Sequence, residues 1–263
     1  MNIVVLIKQV VATTNVKINP ENGTLIREGV ESILNPFDEY AVEEALRIKE
    51  KLGGKVTVLT MGPPQAKDII RKTIGMGVDE GILVSDRLLA GSDTWATAYA
   101  LAQALKKIGD YQIIITGKQA VDGDTAQVGP EIAACLDLPM IAWVRKIEAI
   151  DDNTIKAQRL MEDGYDILES SLPVIISVVK EINEPRLESL KGKMKAKKYE
   201  PQVWGVADLP DFDVSQVGLK GSPTRVLKTF TPKRTYKGEM IEGDSAQAAA
   251  TLYEKIKTMN IIK

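Results

Sequence analysis

The strongest constraint on this chain is an alternation. Over its first two-thirds, short β-branched apolar runs take turns with helical patterns. Residues 3–7, 55–60, 81–85 and 111–116 read as strands. Between them, residues 36–52 read as a helix. Asn35 is placed to cap it, and Pro36 occupies the first position, where a missing N–H is harmless. Phe37, Tyr40, Ala41, Ala45, Ile48 and Leu52 then fall on one face. Residues 64–76 and 93–108 give two more helices, the second with Asp93 as its cap. Nearly continuous apolar strands separated by helices predict an α/β fold, with a mostly parallel sheet and helices on both faces.

The character changes near residue 139. Residues 140–150, 154–161 and 165–172 read as closely spaced strands, with Glu162-Asp163-Gly164 as the turn between the last two. Residues 173–179 form a further buried strand. An antiparallel extension beside the parallel sheet is expected. From Asn183 the periodicity fades. Lys191, Lys193, Lys195, Lys197 and Lys198 cluster, and Pro201, Pro210, Pro223 and Pro232 punctuate the remainder of the chain. Only residues 245–256 read as a helix there. Trp204, Val206, Leu209, Phe212, Leu219, Val226, Leu227 and Phe230 argue against disorder. The division expected is an α/β domain over 1–185, then a docking loop and C-terminal arm over 186–263 that packs on another chain.

Absences narrow the chemistry. The chain has no histidine and one cysteine, Cys135, among 263 residues. That excludes an internal disulfide, a Cys/His zinc site and the common His-dependent nucleophilic mechanisms. Any redox chemistry must ride on a bound cofactor. A net charge of −2 gives no electrostatic case for nucleic acid or an anionic membrane. No apolar run approaches the ~18–20 residues of a membrane span. The start, Met1 to Lys8, reads as a strand and not as a signal peptide. These features fit a cytoplasmic protein.

The candidate site is the loop Gly117-Lys118-Gln119-Ala120-Val121-Asp122-Gly123-Asp124-Thr125-Ala126-Gln127-Val128-Gly129-Pro130. A strand precedes it and an apolar helix start comes after it. Backbone N–H groups and a positive helix end then meet at one point, which suits a phosphate. The spacing is neither a Walker A loop nor GxGxxG. At more than ten residues it outruns an ordinary βα connection of about 2–6.

Several segments together resemble the β subunit of electron-transfer flavoproteins. They are Val5-Leu6-Ile7-Lys8-Gln9-Val10, Asn35-Pro36-Phe37-Asp38, Met61-Gly62-Pro63-Pro64, the 117–130 loop, and Glu184-Pro185-Arg186 followed by Met194-Lys195-Ala196-Lys197-Lys198. The resemblance covers nearly the whole chain in order. It implies a sheet related to adenine-nucleotide α-hydrolase and universal-stress folds, and a larger α subunit partner carrying FAD. It implies an adenine nucleotide in this chain. Housekeeping members hold structural AMP. Bifurcating members hold a second FAD, which takes a hydride from NADH. They send one electron to a quinone or flavin-containing dehydrogenase partner and one to ferredoxin or flavodoxin. By the same resemblance, Leu6, Asn35, Pro36, Phe37 and Asp38 would line the adenine and ribose, and Met61 would cover the ring. Gly117, Gln119, Asp122, Gly123, Asp124, Thr125, Ala126, Gln127, Val128 and Gly129 would wrap the phosphates. Asp122 and Asp124 are expected to turn the backbone and point away from the ligand.

The segment 85–97 resembles the bifurcating type. There Arg87, Asp93, Thr94 and Thr97 would help to hold FAD. Gly221-Ser222-Pro223-Thr224 resembles that type too and is expected near the flavin. Val11-Ala12-Thr13 departs from the common Pro-Asp-Thr continuation, and Leu88-Leu89 stands where an aromatic is common. The resemblance further implies a leucine that docks into a dehydrogenase, for which Leu190 is the match. The leading expectation is therefore a bifurcating subunit with FAD. The alternatives are a housekeeping carrier with AMP and a non-redox adenine-nucleotide module.

Overall fold

The structure is a computed structural model that describes residues 1–12, 17–18, 25–26, 32–227 and 238–259. Thr13, Phe230 and Pro232 lie outside the described residues. The chain forms two compact units, Met1–Val226 and Leu227–Lys263. The first begins with β1 (Asn2–Leu6), β2 (Gln9–Val11), β3 (Lys17–Ile18), β4 (Leu25–Ile26), β5 (Ser32–Leu34), α1 (Pro36–Leu52), β6 (Lys55–Met61), α2 (Lys67–Met76) and β7 (Glu80–Val84). It continues with α3 (Thr94–Ile108), β8 (Ile113–Gly117), α4 (Val128–Leu136), β9 (Met140–Ile150), β10 (Thr154–Met161), β11 (Gly164–Ser171) and β12 (Val174–Val178). Then come α5 (Leu190–Lys198), β13 (Gln202–Trp204) and α6 (Gly218–Gly221). The second unit carries α7 (Ser245–Thr258), capped by the Asp244 side chain.

Among the described residues, nine strands share one sheet in the order β11-β10-β9-β12-β8-β1-β6-β7-β13. Neighbours from β9 to β13 are parallel. At the other edge, β10 and β11 add an antiparallel extension. Strand alternation sorts the core onto two faces. Ile3 and Val5 of β1 pack with Ala41, Val42 and Ala45 of α1 and Ile70 and Ile74 of α2. Val4 and Leu6 pack on the opposite side with Leu101 and Leu105 of α3 and Ile132 of α4. This is the mostly parallel, two-sided sheet that the apolar pattern requires. No helix among the described residues is long and apolar enough to cross a membrane.

Three local expectations change. Asn35 precedes α1 but makes no side-chain cap bond, because its Oδ1, the atom that would accept one, is taken by Val121 N. The helix expected over 64–76 opens with a 3-10 turn, Pro64–Ala66. The region after 185 holds more structure than residues 245–256. The compact unit runs on to Val226. There β13 pairs with β7, and Gly81 N donates to the Tyr199 hydroxyl at 2.7 Å. Helix α5 packs on α2 so closely that a Cβ at Gly192 would collide with the Gly75 carbonyl.

The strap between β12 and α5 is held by Arg186. Its Nε donates to Glu43 Oε2 at 2.8 Å and its Nη2 to Glu43 Oε1 at 3.1 Å. Two further bonds reach Glu50. Burial raises the Glu43 carboxyl, but the bonds from Arg186 and Arg47 outweigh it and hold the group below its ordinary value. A depressed carboxyl adds stability above its unfolded value, and that contribution disappears as pH falls through the folded value. Arg186→Ala should therefore cost about 2–3 kcal/mol in urea unfolding at pH 7. The gap between variant and wild type should narrow below about pH 4.5, the ordinary value of this group.

Candidate nucleotide site

The sheet creates the site by its connections. After β1 the chain feeds α1 on one face. After β8, the neighbour of β1, it feeds α4 on the other face. The loops leave the carboxyl ends in opposite directions and open a crevice, where ligands bind in open α/β sheets. A cavity of about 480 Å³ lies there. That volume falls within the roughly 300–1,000 Å³ typical of small-molecule sites.

The structure brings most of the expected residues to this cavity. Leu6, Asn35, Asp38, Met61, Asp93, Thr94, Thr97, Gly117, Gln119, Gly123, Thr125, Ala126, Gln127, Val128 and Gly129 all line it. Pro36 and Phe37, in the first turn of α1, are not among the lining residues. Arg87 is exposed in a 3-10 turn and is not among the lining residues. Asp122 and Asp124 are not among them either. Asp122 pairs with Lys8 Nζ at 2.6 Å, and Asp124 accepts a bond from the Gln119 amide.

Asp38 joins the walls. Its Oδ2 accepts from Lys8 N, past the end of β1, at 2.7 Å. Its Oδ1 accepts from Asn35 Nδ2 at 2.9 Å. Gly117, the last residue of β8, packs closely against its Oδ1. Asn35 then reaches the phosphate-type loop, donating to the Gln119 carbonyl at 2.9 Å and accepting from Val121 N at 3.1 Å. Gly117 must be glycine, since a Cβ there would stand 2.8 Å from Phe37 Cβ and collide with Asp38. Burial pushes the Asp38 carboxyl up to about 7, against the pull of the bonds from Asn35 and Lys8 and the Lys8 charge.

The loop between β8 and α4 takes left-handed backbone at Asp124 and Ala126, both at φ 55°. Such changes of hand curl N–H groups into an anion-sized concavity. The N-termini of α3 and α4 both reach the cavity, through Thr94 and Val128. Their dipoles favour negative charge at that point. Thr94 Oγ1 ties the two helices by donating to Glu131 Oε1 at 3.0 Å. Asp93 caps α3 as expected, accepting from Ala96 N at 3.1 Å. The residue set fits an adenine nucleotide. It offers apolar cover from Leu6 and Met61, and a phosphate cradle of N–H groups with Lys8 beside it.

Some of the lining carries no signal in the sequence. Lys8 and Gln9 lie inside a recognised motif that assigns them no role. Ser177 projects from the apolar run of β12, and nothing in that run marks it. Leu190, the docking candidate, is the first residue of α5 and 81% exposed. Leu187 beside it is 92% exposed.

Comparison with known proteins identifies the family. Residues 22–209 match the family model described as electron transfer flavoprotein domain. The chain is 49% identical over 263 residues, covering all of both chains, to the electron transfer flavoprotein subunit beta of Thermoanaerobacterium thermosaccharolyticum. It is 45% identical over 264 residues, again covering both chains fully, to the caffeyl-CoA reductase-Etf complex subunit CarD of Acetobacterium woodii. It is 45% identical over 248 residues, 92% of this chain and 88% of the relative, to protein FixA of Azotobacter vinelandii. Such β subunits work in electron transfer and pair with an α subunit. The chain belongs to the electron transfer flavoprotein family, on its β-subunit side.

Proposed function

We propose that this subunit binds FAD in the cavity between β1 and β8 and serves electron bifurcation. The electron donor is NADH, and the acceptors are a flavin-containing dehydrogenase and ferredoxin or flavodoxin. The observation that carries the reading is the cavity itself: a crevice of about 480 Å³ lined by two helix N-termini and a hand-changing loop. When bound, the flavin would supply hydride acceptance and one-electron transfer. The chain's own residues do the binding. Asn35 and Asp38 orient the adenine end, Met61 and Leu6 keep water from it, and the 117–129 backbone with Lys8 holds phosphate. Thr94 and Thr97 would meet the outer half of an FAD. A relative named for a caffeyl-CoA reductase complex supports a CoA-thioester reductase as the dehydrogenase. The exposed arm from Leu227 and the strap at 186–190 supply surface for the α subunit and that dehydrogenase.

The nucleotide content decides the flavin assignment. The complex with the α subunit, denatured, should release two FAD and no AMP per heterodimer. One FAD with one AMP would mean a housekeeping carrier instead. Leu190→Ala should slow dehydrogenase reduction roughly thirtyfold, the scale of a buried interface anchor, and leave nucleotide content unchanged. Loss of nucleotide would show that Leu190 serves the cavity and not a partner.

Asp38 gives a pH signature. Its ionised form holds both donors, Lys8 N and Asn35 Nδ2, so nucleotide affinity should rise as pH increases through about 7. Stability runs the other way. A carboxyl raised in the folded state contributes stability at low pH, and that contribution is lost as pH rises through the folded value. Asp38→Asn should flatten both profiles, in a nucleotide titration and in urea unfolding, each scanned across that value of about 7.

A further inference from the structure

Residues 217–226 precede the unit that begins at Leu227. They are fastened to the loop that leads into α3. Gly218 N donates to Ser92 Oγ at 2.9 Å, and Asp93 N donates to Ser222 Oγ at 2.9 Å. Thr224 N and Thr224 Oγ1 both donate to Asp93 Oδ2, at 2.9 and 2.8 Å. The other carboxylate oxygen, Oδ1, accepts from Ala96 N. The Leu219 side chain lies over Gly91, where a Cβ would stand 2.6 Å from it. Gly91, Ser92 and Asp93 all line the cavity.

Asp93 is thus a carboxylate in the wall of an anion site, with both oxygens occupied by protein donors. Burial raises this carboxyl, but the bonds from Ala96 and Thr224 outweigh it and keep it below its ordinary value. It is therefore charged at neutral pH. Released, it would face a phosphate with like charge in a partly desolvated place, where repulsion is strong.

We propose that Ser222 and Thr224 are positioning residues for nucleotide binding, holding the Asp93 carboxylate off the ligand's phosphate and fixing the start of α3. The proposal rests on the adenine-nucleotide reading of the cavity. It has a consequence for partners. Residues 217–226 form a second strap that continues into the C-terminal segment, so anything that draws it from Asp93 weakens nucleotide binding. By linkage, bound nucleotide tightens the strap by the same factor.

The test titrates the full chain with AMP and with adenosine, which has no phosphate. Thr224→Val should weaken AMP about 10–100-fold, the range for losing a hydrogen bond to a charged group. Adenosine should change less than about twofold, because the repulsion needs the phosphate charge. Thr224→Ser keeps the hydroxyl and should restore AMP binding. Equal losses for AMP and adenosine would overturn the proposal, since the strap would then merely shape the pocket. Unchanged AMP affinity in Thr224→Val would overturn it as well, with the cavity reading intact. Wild type that binds neither probe would retire the cavity reading and the proposal together.

Discussion

At the carboxyl end of the sheet, one buried carboxylate joins three separate segments. Asp38 accepts from Lys8 N past β1 and from Asn35 at the start of α1, and Gly117 ending β8 packs against it. These are the edges of the crevice that the topology opens. The sheet brings the segments near one another, but parallel strands leave their loops free to splay. A buried charge is expensive unless its acceptors are filled. The same expense makes the arrangement specific, because any splaying strands the carboxylate. Asn35 then relays the position to the 117–129 loop through Gln119 and Val121. The phosphate-type loop therefore inherits its place from the core.

The electrostatics obey a similar economy. The cavity proposed as an anion site lies in a chain of net charge −2 without a histidine. Backbone N–H groups and helix ends carry most of the attraction, and they need no ionisable group. The nearby carboxylates are each given a partner: Asp122 has Lys8, Asp124 has Gln119, and Asp93 has Ala96 and Thr224. Three acids beside a phosphate would otherwise oppose binding. Paired in this way, they shape the backbone and leave the field of the helix termini exposed.

Where burial tracks periodicity, the residues foretold the structure. Helix α1 and strands β9 and β10 have the bounds that the pattern gives, because each has a continuous apolar stripe or alternation. Helix α5 escaped for a physical reason. In Leu190-Lys191-Gly192-Lys193-Met194-Lys195-Ala196-Lys197-Lys198 only Ala196 is buried, and the helix docks by backbone approach at Gly192, which leaves no hydrophobic trace. Strand β13 is three residues long and exists because β7 has a free edge. At the site, the glycine-rich loop was legible from the strand before it and the helix start after it, and the Asn-Pro-Phe-Asp segment from the family resemblance. Ser177 was not, since a small polar residue in an apolar strand is visible only once its neighbours are known.

The strap at 184–190 shows how stability and recognition are divided. Arg186 is locked by Glu43 and Glu50, while one residue later Leu187 is almost wholly exposed, and Leu190 nearly so. Two exposed leucines in solvent are a burden to an isolated chain. Held on an untethered loop, they would also lose conformational freedom on docking. The guanidinium fork removes much of that freedom beforehand, and Ser189 fixes the start of α5 by accepting from Gly192 N. A preorganised apolar tip loses less entropy when it enters a pocket. The lysines around it add long-range attraction without being buried. Rigidity thus comes from ion pairs on the α1 side, and the proposed docking falls to the exposed side chains, so either can change without undoing the other.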